Sequence, residues 1–506
     1  MKKRKNLYAL FVCMFLFYTT PFAQKLYHEL YRPQVHFSPK EKWTNDPNGM
    51  VFYKGTYHLF FQYYPDSTIW GPMHWGHAVS KDLIHWKQLP IALYPDSLGY
   101  IFSGSAVVDY KNSSGFAKNG KVPLVAIFTH HDPKGEKEKR NDYQNQSIAY
   151  SLDEGSTWIK YAGNPVLKNP GISDFRDPKV MWYEPGKKWV MTLATKDRIT
   201  FYSSPNLKDW KKESEFGNDI GAHGGVWECP DLFSLNDMDK TTWVLLVNLN
   251  PGGPNKGSAT QYFLGNFDGN KFTPASTKTK WIDYGPDEYA GITWSNTGNR
   301  KIFLGWMSNW LYANVVPTDK WRNSMTISRE LKLKHIKNDI VVTSLPVSEL
   351  NRIQEKPLVK ENITITKSLD VIRKIKTDIF PSRLNLSINK LKNFSIILSN
   401  DIGEEVVIGY DKKDNKYYID RTKSGKTDFH KDFAAKHTAP RLTNDQSLSM
   451  SLIIDASSVE LFADNGLTVM TEIFFPDQPY NQVHIQSPDN VMIKKLEYSN
   501  LKSIWK

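Results

Sequence analysis

At 506 residues the chain is too long for one ordinary hydrophobic core, so two domains are expected. Sixteen Trp and twenty-five Tyr suit a sheet-rich protein, and also one that stacks rings on sugars. The net charge of +12 falls to +8 once Lys2, Lys3, Arg4 and Lys5 are set aside; the surplus is scattered over loops such as 134–140 and 412–416 with no nucleic-acid-binding motif, which argues against a nucleic-acid partner.

Residues 1–23 read as a secretory signal peptide, with a basic start, an apolar run from Leu7 to Tyr18 and Ala23 near the cut. That run falls short of the roughly 20 apolar residues needed to span a bilayer, so export to a periplasm or the medium is expected rather than stable membrane insertion. Bulky Phe11 and Val12 before Cys13 argue against a lipid anchor. Without the leader Cys229 is the only cysteine, so no internal disulfide supports the fold.

The first informative stretch is Trp43-Thr44-Asn45-Asp46-Pro47-Asn48-Gly49, which predicts a turn feeding a strand that starts near Met50. Pro47 pushes Asp46 towards extended backbone and holds it stiffly. A plain Asx-turn accounts for Asp46 taken alone; an EF-hand does not, because the later acidic ligands are missing. Short strands and turns follow to about residue 340, among them Gly104–Val108, Leu124–Phe128, Lys188–Leu193, Trp243–Val247 and Lys301–Trp306. Three segments share one plan of Ser, a polar turn and Trp: Ser80 to Trp86, Ser151 to Trp158 and Ser204 to Trp210. Strand-only repeats of this length point to a β-propeller of about five blades, where a jelly roll would explain strands but no repeat.

Two more acidic sites resemble the first. Asp177 precedes Pro178 and leads into a strand, with Arg176 beside it to keep a carboxylate ionised or to bind a hydroxyl; a surface ion pair is the alternative. Glu228 lies in Gly224-Gly225-Val226-Trp227-Glu228-Cys229-Pro230, an apolar, Gly-rich setting that disfavours its charged form and suits a general acid; a buried structural Glu is the alternative. Inner propeller strands converge on one axis, so carboxylates from different repeats can meet in one funnel. Beyond about residue 346 the chain loses most of its Trp and Gly. Leu448, Met450, Leu452 and Ile454 alternate, Val459, Leu461 and Ala463 continue, and Asp464-Asn465-Gly466 marks a hairpin, the pattern of a β-sandwich.

Trp43–Gly49, Phe102-Ser103-Gly104-Ser105, Phe175–Pro178, Trp227–Pro230 and Ser457–Phe462 together resemble family 32 of the glycoside hydrolases, the β-fructosidases, in order and over the whole mature chain. The resemblance implies an all-β fold: a five-bladed β-propeller over residues 24–345, then a β-sandwich over 346–506. It implies hydrolysis with retention, with Asp46 as nucleophile, Glu228 as general acid and base, and Asp177 holding fructose hydroxyls beside Arg176. Asn45, Gln62, Trp70, Ser103 and Trp310 fall on pocket positions of the family, and Trp43 and Phe102 on its apolar wall. A retaining pair stands about 5–5.5 Å apart, too close for an intervening water.

The stretches 70–80 and 305–312 look more like microbial exo-levanases and exo-inulinases than plant invertases, although Trp75, Trp306 and Trp321 read equally well as core. The expectation is an exo-acting enzyme that takes fructose from levan or inulin-type fructans and from sucrose. It needs no metal or organic cofactor, and the scattered His58, His74, His77, His85, His130, His131 and His223 lack ligand spacing. The rival readings are a sister five-bladed family acting on arabinans or xylans, an endo-levanase or fructosyltransferase of the same fold, and a fructan-binding protein. The C-terminal part reads as a buttress more than as a sugar-binding module.

Overall fold

The computed structural model describes residues 27–237, 240–337, 339–372 and 380–505. The expected signal peptide, residues 1–23, lies outside them. Strands account for nearly all regular structure, and among the described residues no helix is long and apolar enough to cross a membrane.

Residues 42–346 form five separate sheets of four or five strands. Five strands lead them: β1 (Lys42–Tyr53), β2 (Tyr100–Val108), β3 (Phe175–Tyr183), β4 (Val226–Asp237) and β5 (Tyr289–Thr293). From each, the chain steps outward to antiparallel neighbours; the sheet led by β2, for example, continues through Leu124–His131, Gln144–Ser151 and Ile159–Lys160. Each leading strand packs on that of the next sheet, and β5 packs back on β1, so the five close into a ring. The ring is fastened where Trp321–Arg322 joins the first sheet parallel to β1, pairing Lys42 with Trp321 and Trp43 with Arg322. The three Ser-to-Trp segments fall at one equivalent place, linking the third to the fourth strand of the first three sheets.

Every leading strand is interrupted at the same level. The register slips between Thr44 and Pro47 in β1, between Ile101 and Gly104 in β2, opposite Asp177 and Pro178 in β3, between Glu228 and Asp231 in β4, and between Tyr289 and Ile292 in β5. These are β-bulges, in which two residues face one and a side chain is re-aimed out of the pleat. The turn expected at Asp46–Gly49 is therefore corrected: these residues lie inside a twelve-residue strand. Proline lacks the N–H that a ladder uses, and a bulge tolerates it as a turn does, so the two look alike in sequence. Three of the bulges carry Pro47, Pro178 and Pro230.

The polar groups freed by the bulges are met by neighbouring sheets. Ser105 Oγ donates to the Pro178 carbonyl at 2.9 Å and accepts from Val180 N at 3.0 Å. Asn248 Nδ2 donates to the Cys229 carbonyl at 2.9 Å, while its Oδ1 accepts from Gly291 N at 3.1 Å. Such satisfaction is what keeps an irregular backbone affordable in a buried ring.

The remaining chain forms two six-stranded sheets. Leu384, Leu386, Met450, Leu452 and Ile454 of one share an apolar core with Ile396, Leu398, Val406, Ile408 and Ile419 of the other. The Leu448–Ile454 alternation points inward as expected, and Asp464-Asn465-Gly466 turns the chain with positive φ at all three residues.

Buried charge joins the two regions. Arg329 donates from Nε to Glu460 at 3.0 Å and from Nη1 to Asp283 at 2.8 Å, with all three side chains sealed from solvent. His36 completes the cluster, reaching Asp455 at 2.7 Å and Glu460 at 2.8 Å. Burial alone would depress the imidazole, but the two carboxylates outweigh it and raise its pKa to about 9, so the ring is a cation locking the N-terminal segment to the C-terminal sheets. A second cluster places Arg421 against Asp287, Glu472 and Tyr312.

Candidate active site

The bulged end of the ring encloses a cavity of about 230 Å³. Ten of the eleven residues expected from sequence line it: Asn45, Asp46, Gln62, Trp70, Phe102, Ser103, Arg176, Asp177, Glu228 and Trp310. Trp43 does not. It is fully buried behind the wall, with its ring 6.0 Å from that of Trp310 and its Nε1 donating to Asn45 Oδ1 at 2.8 Å. The expected wall residue is thus a support for two residues that do face the cavity. Trp75, Trp306 and Trp321 are buried core side chains.

Asp46 is held on both oxygens. Oδ1 accepts from Asn45 Nδ2 at 2.9 Å and Oδ2 from Ser103 Oγ at 2.7 Å. The bulges of β1 and β2 bring these groups together across the ring. Such bonds fix the carboxylate in one orientation and leave little to reorganise during reaction.

Glu228 sits in a different setting from the apolar one its neighbours imply. Trp227 is buried, while Glu228 turns to the cavity, where Arg176 donates from Nε at 3.2 Å and Nη2 at 2.9 Å to Oε1. The Tyr289 hydroxyl donates to Oε2. Strand alternation sends residues 227 and 228 to opposite faces, so the sequence neighbourhood misreports the environment. Arg176 also pairs with Asp174, and its Nε lies 4.0 Å from Asp177; the guanidinium serves Glu228 more closely than the adjacent aspartate.

Asp177 is buried, with φ of +63° at the bulge. Its Oδ2 accepts from Cys229 N at 3.0 Å. Burial, partly offset by Arg176 and reinforced by the charges of Glu228 and Asp46, raises its pKa from 3.8 to about 7. A carboxyl raised on folding contributes stability that is full below its unfolded value and lost as pH rises through its folded value. The Asp177 contribution is therefore complete below 3.8 and lost through about 7. Thermal melts of Asp177→Asn should lack that loss: the variant gains on the parent as pH rises from 3.8 to about 7, and a parallel shift of both curves would count against this assignment.

The Cys229 thiol touches both aspartates, 3.4 Å from Asp46 Oδ2 and 3.6 Å from Asp177 Oδ2. Burial and the surrounding carboxylates push its pKa well up, so it stays a protonated donor. Its contacts are with these two residues and not with Glu228, its neighbour in sequence.

Sequence reasoning missed Tyr289, His131, Glu136, Tyr143, Gln144 and Asp174 as cavity or acid neighbours. Tyr289 stands in a short strand with no motif around it, and the 134–140 loop reads as a solvated charge run. A larger cavity of about 540 Å³ opens at the opposite end of the ring; Lys179 and Asp231 pair there at 3.2 Å, and none of Asp46, Asp177 or Glu228 lines it. Among the described residues no His, Cys, Asp and Glu group has the geometry of a metal site.

The family description "Glycosyl hydrolases family 32 N-terminal domain" matches residues 36–344, and "Glycosyl hydrolases family 32 C terminal" matches 349–501. The chain is 46% identical over 492 residues to a levanase of Bacillus subtilis, covering 95% of this chain and 72% of that protein. It is 39% identical over 516 residues to an extracellular exo-inulinase of Aspergillus niger, covering 95% and 96%. Among solved structures, the exo-inulinase of Aspergillus awamori superposes with a TM-score of 0.87 at 38% identity, over 95% of this chain and 100% of that one. A β-fructofuranosidase of Schwanniomyces occidentalis in complex with fructosyl-erythritol gives 0.85 at 32% identity, over 94% and 98%.

Proposed function

The chain belongs to family 32 of the glycoside hydrolases, and from that premise we propose that it is an exported, retaining exo-β-fructosidase that frees fructose from levan or inulin-type fructans and from sucrose. The observation that carries this reading is the meeting of Asp46, Asp177 and Glu228, from three bulged strands, in one small cavity.

In this reading Asp46 attacks the anomeric carbon of a terminal fructosyl unit as Glu228 gives its proton to the departing glycosidic oxygen. The C–O bond to the leaving sugar breaks and a fructosyl ester forms on Asp46. Water then attacks the same carbon, Glu228 takes its proton, and the Asp46 carboxylate is released with net retention. Tyr289 and Arg176 orient Glu228 for both transfers, and the buried phenol remains a donor because burial and Glu228 push its pKa well up. Asp177 holds the sugar hydroxyls. Trp70 and Phe102, edge to face at 6.2 Å, offer apolar faces to the ring carbons.

The cavity's size supports exo action, since about 230 Å³ is below the 300–1,000 Å³ typical of pockets for drug-sized ligands and suits one terminal unit. We read the five-sheet ring as a five-bladed propeller spanning 24–345 and the paired sheets as a sandwich spanning 346–506. The sandwich is a buttress in this reading: among the described residues the large exposed apolar side chains beyond 346 are Leu358, Val359, Ile402 and Met492, with no aromatic among them. The signal-peptide pattern of residues 1–23 supports export, in keeping with the extracellular fungal relatives.

The product profile on levan, inulin and sucrose tests the whole reading. Fructose as the only small product is expected from levan and inulin, and fructose with an equal amount of glucose from sucrose, all abolished in Asp46→Ala. Ladders of oligosaccharides would replace exo with endo action, and no release from any of the three would overturn the assignment.

A further inference from the structure

The segment from Asp132 to Tyr143 carries no catalytic carboxylate, yet Glu136 and Tyr143 line the cavity beside Asp174 and Arg176. It is a built element. Asp132 caps the short helix Pro133–Lys137 by accepting from Lys134 N at 3.0 Å, and Arg140 N returns to the Gly135 carbonyl at 3.0 Å. A Cβ at Gly135 would lie 2.3 Å from Arg140 Nη2, so a larger residue there would push the guanidinium off Asp132.

The loop is wired to the catalytic end. Glu136 Oε2 lies 3.1 Å from His131 Nε2, and Gln144 Nε2 lies 3.3 Å from His131 Nδ1. Gln144 Oε1 is 3.5 Å from Arg176 Nη1, whose guanidinium grips Glu228. His131 also stacks on Phe102 with centroids 4.2 Å apart. Glu136 is thereby pinned through one oxygen, while its other oxygen accepts no hydrogen bond among the described residues.

The acid's position decides which part of a substrate meets this loop. Glu228 must reach the bridging oxygen, so the departing sugar begins on its side of the cavity, where Arg176, Asp174, Tyr143 and Glu136 form the bank. Trp70 and Trp310, which also line the cavity, are aromatic and offer no carboxylate to a hydroxyl. A departing sugar is uncharged and rich in hydroxyl donors, and a fixed carboxylate with a spare oxygen beside a phenol is a fitting acceptor pair.

We propose that Glu136 and Tyr143 form the leaving-group subsite and set the discrimination between the glucosyl unit of sucrose and the fructosyl unit of fructans. This rests on Glu228 being the proton donor. The same residues then hold an incoming sugar when the fructosyl ester is intercepted by an acceptor other than water.

The test compares the full mature enzyme with Glu136→Ala, Glu136→Gln and Tyr143→Phe. It reads kcat and KM on sucrose and on short inulin- and levan-type oligosaccharides, the inhibition constant of free fructose, and transfer to added sucrose against hydrolysis. Loss of one or two hydrogen bonds predicts a fall in kcat/KM of about 3- to 20-fold, mostly through KM and unequal among the leaving groups. The transfer-to-hydrolysis ratio should drop in parallel, fructose inhibition should stay within about twofold, and Glu136→Gln should recover part of the loss. Equal falls on every substrate with weakened fructose inhibition would reduce the loop to a support for the fructosyl pocket and overturn the proposal, as would unchanged discrimination. Failure of the parent reading is distinct, because it shows as absence of fructose release by the unsubstituted enzyme.

Discussion

Replacing Asp46 by asparagine should lower fructose release from levan, inulin and sucrose by about 10⁴- to 10⁶-fold while leaving the fold intact. The substitution keeps the shape and the hydrogen bond from Ser103 Oγ, which spans 2.7 Å in the parent. It removes the charge that must form the ester, and nucleophile deletions of this kind cost about that much. The Glu228→Gln variant makes a useful contrast. Loss of general acid assistance costs about 10²- to 10⁴-fold, and the deficit should shrink on a substrate whose leaving group needs no proton. Azide supplied to Asp46→Ala should restore turnover with a product of inverted configuration, since the small anion fills the vacated place and attacks from the same face. Single-turnover kinetics with purified variants checks both arms. Asp46→Asn retaining about a hundredth of the parent rate would place the nucleophile elsewhere.

The second large effect is on stability. Arg329→Met should destabilise the folded chain by about 3–5 kcal/mol, the usual cost of removing one partner from a buried ion cluster. Methionine fills much of the space but leaves Glu460 Oε2 without its two guanidinium donors and Asp283 Oδ2 with Thr471 Oγ1 in place of the cation. Arg329→Lys should recover only part of the loss, because the guanidinium reaches Glu460 through Nε and Nη2 and Asp283 through Nη1, and a single ammonium cannot copy that fork. Equilibrium denaturation checks this, and a change below about 1 kcal/mol would mean that water or a shifted carboxylate replaces the arginine.

The parts legible in the sequence were those with local chemistry. Pro47, Pro178 and Pro230 each follow a residue at a bulge, and that shared irregularity pointed to three positions that the ring then brings together. The Ser-to-Trp segments were visible because each builds its own turn, as when Ser80 Oγ accepts from Asp82 N at 3.1 Å. What escaped was set by distance along the chain. Tyr289 meets Glu228 from sixty-one residues away, and nothing beside Tyr289 encodes the partner. Glu136 belongs to a charged run whose neighbours are solvated, and its contact with His131, which stacks on Phe102, is not encoded beside it. Trp43 was assigned to the right region but the wrong surface, since a bulge one residue on reverses which side chains face inward.

The fastening of the ring has a consequence for the order in which the protein can be made. Lys42 and Trp43 are among the early residues to leave the ribosome, yet their neighbours Trp321 and Arg322 follow some 280 positions later. Gln34 and His36 wait longer still, for Asp455 and Glu460. The Asp46 strand can pair early with Thr56–Tyr64, but it lacks its ring-closing partners until the last sheet is made, and contacts so remote in sequence form slowly. No partial product has a finished cavity, so hydrolytic competence arrives late and all at once, with closure of the circle.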